Sequence, residues 1–324
     1  MIKKLIAVFL AGALTLSLCA CGALENILGQ KDEPQEESSV PEPIVIDPNF
    51  PVTVGGVEIK AKPERVAAAS PALAEYISDM GLFDRLCAVS DYCSFGGASA
   101  LPSIGSVRLP NMEAIKTAAP QYILTFAKYD EASLIELQQM DITVIVLDAP
   151  SSIEELRELY RELSLFFLGS EEGAAFGESY VAEYDRALAE ISYSGEKANA
   201  AFLRAMDYTM VTGDAMENEL LSACFENAAA EYTGYEYPAE NWDSFKPEVI
   251  FVGGDLRLED LETSDLYKKT AAVKGDKVFL VDMDAIALCS RRSFAMVKDM
   301  MATVYSDYTD GTPLEPAYPS IYKK

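Results

Sequence analysis

One short unit occurs twice in this chain, more than a hundred residues apart. "NMEAIKTAAPQYILT", residues 111–125, reads as a short helix running through a proline into an apolar strand, and "AENWDSFKPEVIFVGG", residues 239–254, does the same. In each, a glutamate stands seven residues before the proline: Glu113 before Pro120, and Glu240 before Pro247. The surroundings repeat as well. "RVAAASPALAEYISDMG" reads as strand, loop and helix, as does "YTMVTGDAMENELLSACF", and "DITVIVLDAP" is matched by "DKVFLVDMD". Four matches in one order, namely the strand-loop-helix start, the glutamate unit, the strand after its proline and the last strand, predict two topologically related α/β lobes, with the loops after their strands facing each other across a cleft.

The remaining elements fit that plan. "PVTVGGVEIKAKPERV" alternates around Gly55-Gly56, which predicts a small hairpin. "RVAAAS", "LCAVSDY", "QYILTF" and "ITVIVLDAP" are apolar runs rather than alternations, so they predict a mainly parallel sheet covered on both faces. Ser70-Pro71 opens a helix stopped by Gly81, and "EASLIELQQM" is a further helix. Ser152 and Glu155 form a capping box for a helix whose Ile153, Leu156, Leu159, Tyr160, Leu163 and Phe167 share a face. Gly169 ends it, and Ser170 can cap a longer helix through Ile191, with Gly177, Val181, Tyr184, Leu188 and Ile191 on one side. About twenty residues make a rod of about 30 Å, long enough to join two lobes.

The ends and the charge say where such a protein works. Lys3 and Lys4 precede the apolar run "LIAVFLAGALTLSL", a signal-peptide core too short for an ordinary membrane span. "LCACG" resembles the lipobox of bacterial lipoproteins and implies a lipid on Cys21. The acidic, Pro- and Ser-bearing stretch that follows reads as a tether. The expected layout is a signal peptide over 1–20, a disordered tether over 21–44, an N-terminal lobe over 45–169, a connecting helix over 170–192 and a C-terminal lobe over 193–324. Among 324 residues the formal charge is -26, with no histidine. That charge argues against wrapping nucleic acid. The missing histidine removes Ser-His-Asp and Cys-His nucleophiles in their usual forms, common zinc sites and the usual proximal haem ligand. Cys87, Cys93, Cys224 and Cys289 match no staple or zinc spacing, and free thiols and bridges both remain open.

Read in order after the lipobox, "PVTVGG…KPERVAAASPALAEYI", "AVSDYC", "LPSIG" before "NMEAIKTAAPQYIL", and "AAVKGDKVFLVD" before "RRSF" resemble the solute-binding lipoproteins of ABC importers that carry ferric siderophores, haem and cobalamin. The resemblance covers residues 50–306. It implies a monomer of two α/β lobes, joined by one rigid helix, on the outer face of the cytoplasmic membrane. It further implies that a surface glutamate on each lobe docks into an arginine pocket of a permease dimer. Glu113 and Glu240 stand where those acids stand.

The ligand pocket then comes from strand-end loops: Tyr92, Phe95, Arg108, Phe126 and Tyr129 in the first lobe, and Met216, Tyr235, Arg257, Arg291 and Arg292 in the second. Aromatics with arginines suit a broad planar or chelated ligand. The resemblance implies no resident cofactor, no protein-bound metal and no catalytic residue, only a transported metal chelate. The arginines favour an anionic siderophore, the "SDYC" loop favours cobalamin, and haem stands behind both. Some features depart from the family: "FENAAAEY" replaces a Gly-Gly-Asn turn, "SRRS" replaces a Pro-Arg ending, and Trp242 is expected to pack under the docking helix. An alternative on the same cleft is an extracytoplasmic hydrolase using paired carboxylates, and a third reading is a surface receptor without a transported ligand.

Overall fold

Short runs with both faces buried make the two sheets. The computed structural model describes residues 47–204, 209–253, 256 and 258–316; the signal, Cys21, the tether and Arg257 lie outside them. An antiparallel hairpin of β1 (Val52–Val54) and β2 (Val57–Ile59) turns through Gly55 and Gly56, both at positive φ, as the sequence predicts. The first sheet holds β3 (Val66–Ala68), β4 (Leu86–Val89), β5 (Tyr122–Thr125) and β6 (Thr143–Val146). Helices α1 (Pro71–Asp79), α2 (Met112–Ala118) and α3 (Glu131–Gln139) connect these strands. Next come α4 (Ile153–Leu168) and α5 (Ser170–Ala189). The second sheet holds β7 (Asn199–Leu203), β8 (Glu226–Asn227), β9 (Val249–Val252) and β10 (Val278–Leu280). Around it lie α6 (Met216–Ser222), α7 (Leu258–Thr263), α8 (Ala271–Lys274), α9 (Met283–Ala287) and α10 (Arg291–Val304).

The sheet orders are β4-β3-β5-β6 and β10-β9-β7-β8. Counted within its own lobe, each sheet therefore runs second, first, third, fourth strand, and every pair in both is parallel. The duplication is one of topology. Equivalent bonds recur too: the N–H just before the third strand reaches back to the edge of the first, Gln121 to the Arg65 carbonyl at 2.9 Å and Glu248 to the Asn199 carbonyl at 2.8 Å.

Three local expectations are corrected. The second lobe does not open on "YTMV": its first strand is the alanine-bearing Asn199–Leu203, and Val211 turns back to bond the Phe202 carbonyl at 2.9 Å. Alanine is a poor strand former by propensity, and full burial between β8 and β9 overrides that here. The capping box at α4 is half formed, because Ser152 Oγ accepts the Glu155 N–H at 3.2 Å while the Glu155 carboxylate takes the N–H and hydroxyl of Ser151, both at 2.7 Å. Ser170 does not cap α5. Asn49, from far upstream, accepts the N–H groups of Glu171 and Glu172 at 3.2 Å on its side-chain oxygen.

The α4 face predicted from the sequence is buried, with Leu156, Tyr160, Leu163 and Phe167 fully enclosed. Each such side chain contributes about 1.5–3 kcal/mol by leaving water. α5 packs closely along α4 because a side chain at Gly173 would come within 2.6 Å of the Ser164 carbonyl, and one at Gly177 within 3.1 Å of Ser164 Oγ. One apolar cluster runs from Val66 and Leu124 of the first sheet, through Phe166, Tyr180 and Tyr184, to Phe202 and Phe251 of the second.

Where the lobes meet, the first turn of α10 plugs into α1. Glu75, only 5% exposed, accepts from Ser290 Oγ at 2.6 Å and from the Arg292 guanidinium at 3.2 and 2.9 Å. Asp79 accepts the Arg291 N–H at 3.0 Å and the Tyr180 hydroxyl at 2.9 Å. Tyr76 and Tyr184 donate to the carbonyls of Leu288 and Cys289 at 3.0 and 2.8 Å. The Arg291 guanidinium lies 5.0 Å from the Tyr180 ring centre and bonds Glu183 at 3.1 Å. α5 thus touches α1 on one side and the start of α10 on the other.

Two outcomes follow from this joint. Replacing Arg292 by Ala leaves Glu75 buried and short of its charge partner, which costs about 3 kcal/mol in chemical denaturation; adding Glu75→Gln restores most of that loss. Burial raises the Asp79 carboxyl above its ordinary range, although the Arg291 N–H and the Tyr180 hydroxyl pull the other way. A carboxyl raised in the folded state contributes stability at acid pH and loses it as pH rises through the folded value. The parent protein should therefore gain stability relative to Asp79→Asn as pH falls from about 7 towards about 4, and parallel stability curves would contradict this.

Candidate interlobe binding cleft

In a parallel sheet the loops after the strands share one edge. After β4 the chain enters a left-handed turn at Tyr92, φ 67°, which holds that ring 92% exposed. Bulky residues rarely adopt this backbone, and such strain gathers at ligand sites. The Asp91 N–H bonds the Gly105 carbonyl at 3.3 Å, and Ser103 donates to the Asp91 carboxylate, so the loop tip with exposed Arg108 and Leu109 lies alongside. Phe95 is buried edge-on against Phe83, with centroids 6.0 Å apart, and anchors the loop. Phe126 is half-buried after β5, while Tyr129 is buried, which pushes its phenol up to about 12.

On the second lobe the edge is built around Arg204, directly after β7. Its guanidinium bonds Glu217 at 3.2 Å and Asp284 at 2.8 Å, and lies 5.2 Å from the Tyr235 ring centre. Tyr235 also has a left-handed backbone, φ 61°, and its hydroxyl donates to Glu217 at 3.2 Å. Glu217 is 1% exposed; burial raises its carboxyl, and Arg204 and Tyr235 partly offset that. Met216, its neighbour on α6, is buried. The structure therefore brings Tyr235 and Met216 together around Arg204 and Glu217, neither of which was among the expected site residues. Their signal was concealed: Arg204 is a strand-end residue only once Asn199–Leu203 is recognised as a strand.

Arg291 and Arg292 sit in the lobe joint. Arg292 reaches Ser94 of the Tyr92 loop at 3.5 Å, which links the two loop sets. Among the described residues, Arg108 and Phe126 make no hydrogen bond or ion pair with this set. Cys87, Cys93, Cys224 and Cys289 are free thiols. A cavity of about 820 Å³ opens at the opposite end of the second sheet, where Lys197, Asn199 and Glu226 mark the strand starts, away from these loops.

Glu113 is exposed in the first turn of α2, which Asn111 caps by accepting the Ala114 N–H at 3.0 Å. Glu240 is exposed in a 3-10 turn, Ala239–Ser244, rather than an α-helix. Trp242 of that turn stacks on Phe245 at 4.3 Å and donates to the Leu266 carbonyl at 2.9 Å. Both glutamates lie between the second and third strands of their own sheet. Among the described residues neither has an ion-pair partner.

Comparison with known proteins bears on this arrangement. No curated sequence matches. Among solved structures, the periplasmic heme-binding protein RhuT from Roseiflexus sp. RS-1 shares the fold with a TM-score of 0.61 at 18% identity, over 76% of this chain and 100% of that one. A possible iron-binding periplasmic solute-binding protein from Staphylococcus epidermidis gives 0.58 at 16% identity, over 76% and 100%. The periplasmic vitamin B12 binding protein BtuF of Vibrio cholerae gives 0.52 at 18%, over 74% and 96%. The family model described as periplasmic binding protein matches residues 66–285. With that match spanning both sheets and the strand order common to them, this chain belongs to the periplasmic binding protein family.

Proposed function

We propose that this protein is an extracytoplasmic solute-binding lipoprotein that captures a metal chelate, either a ferric siderophore, cobalamin or haem, and delivers it to an ABC permease. Its family is one of binding proteins, so the cleft holds a ligand and carries out no reaction. A lipid on Cys21 would keep it at the outer face of the membrane, and residues 21–44 would give it reach. The cleft ligands would be drawn from Tyr92, Phe95, Arg108, Phe126, Met216, Tyr235, Arg257, Arg291 and Arg292, joined by Arg204.

The observation that carries delivery is the equivalence of two exposed acids. Glu113 and Glu240 each lie in the connection between the second and third strands of sheets with the same strand order, the same distance along the chain before the third strand. A pseudo-twofold permease presents each lobe with the same surface, so each lobe needs the same charge in the same place. Charge-assisted bonds to arginine would set orientation as well as affinity. An acid serving only its own helix would not need to recur where the helix has become a 3-10 turn.

The test separates capture from delivery. In cells that depend on this protein for chelate uptake, Glu113→Ala with Glu240→Ala should lower uptake by at least about tenfold, with chelate affinity of the purified protein unchanged. Undiminished uptake in the double variant would remove the docking role.

A further inference from the structure

The charge around the cleft names the class of chelate; the inference rests on the binding reading above. The described arginines of the lobe joint and of the loop after β7 are already spent on carboxylates of the same chain. Arg204 is shared by Glu217 and Asp284, at 3.2 and 2.8 Å. Arg292 is shared by Glu75 and Asp282, at 2.9 and 3.8 Å. Arg291 bonds Glu183 at 3.1 Å, and its N–H holds Asp79. Three guanidiniums thus face five ion-paired carboxylates. Were buried Glu217 to carry a proton, four acids would still outnumber them. On the first lobe's strand-end loops, exposed Arg108 and Lys128 are offset in formal charge by Asp91 and Asp130, whose carboxylates bond Ser103 and Ser133.

An anionic ligand that recruits Arg204 or Arg292 has to draw it away from Glu217 or Glu75, which are 1% and 5% exposed. That leaves a buried carboxylate unpaired, a change that costs more than the new contact returns. A cation meets no such penalty. Asp284 keeps an 85% exposed side chain, Asp282 is about half exposed, and the Tyr92 ring offers an open π face from the opposite lobe. The formal charge of -26 adds a long-range field of the same sign.

We infer that the cleft accepts a cationic or uncharged metal chelate and rejects anionic ones. The anionic siderophore expected from counting arginines presumes guanidiniums that are free, and of the described ones Arg291 and Arg292 are paired.

The purified full chain is titrated with a cationic ferric hydroxamate (ferrioxamine B), uncharged cyanocobalamin, and two anionic chelates, ferric citrate and ferric enterobactin, while intrinsic fluorescence is followed. Saturable quenching by the cationic or the uncharged probe, with none from the anionic pair, is the expected result. If the cationic probe binds, its affinity should fall about tenfold between low and high salt. Asp284→Asn, an exposed substitution, should weaken that probe severalfold. Binding of an anionic chelate as tightly as the others, or undiminished affinity for a bound cationic probe in Asp284→Asn, overturns the charge assignment and leaves the binding reading standing. Silence from every probe contradicts the chelate reading itself.

Discussion

The buried carboxylate of Glu75 is the interaction on which the two-lobed body depends. It lies on α1 of the first lobe and finds its partners, Ser290 and Arg292, at the start of α10 in the second. An ion pair this deep contributes little net stability, because both charges forgo water, but it penalises any arrangement that separates its members. The surrounding tyrosines extend the constraint: Tyr76, Tyr180 and Tyr184 each spend a hydroxyl across the joint. Together with the apolar cluster that runs through α4 and α5, these bonds make sliding or hinging of one lobe on the other expensive.

A fixed joint suits a delivery protein that has to present two docking points at once. If the lobes moved freely, Glu113 and Glu240 would lose their spacing, and the permease would bear the entropy of restoring it. The same joint uses up Arg291 and Arg292, two of the arginines that a sequence reading assigns to the ligand. Under the charge assignment proposed above, the Arg292 pairing bears on both the stability of the body and charge selection in the cleft.

Much of the fold was legible because its signals are local. Apolar runs such as "QYILTF" and "PEVIFVGG" mark buried parallel strands, Gly55-Gly56 marks the hairpin, and the spacing of Leu156, Tyr160, Leu163 and Phe167 marks the inward face of α4. What escaped notice arises from distance along the chain. Asn49 caps a helix more than a hundred residues away, and Glu75 meets Arg292 across more than two hundred. The strand Asn199–Leu203 was hidden by its alanines, and with it went the strand-end position of Arg204. The cleft residues could be named by loop, but whether an arginine there is free or paired is a property of tertiary packing alone.

The most direct measurement is the distance between spin labels on the two lobes, placed at exposed Lys116 beside Glu113 and exposed Asp243 beside Glu240. Cys19, Cys21, Cys87 and Cys93 are first replaced; Cys224 and Cys289 are fully buried and out of reach of the label. A fixed two-lobed body predicts one narrow distance distribution, the same with and without bound chelate. A broad distribution, or one whose mean moves by more than the width of a side chain when chelate is added, would contradict it.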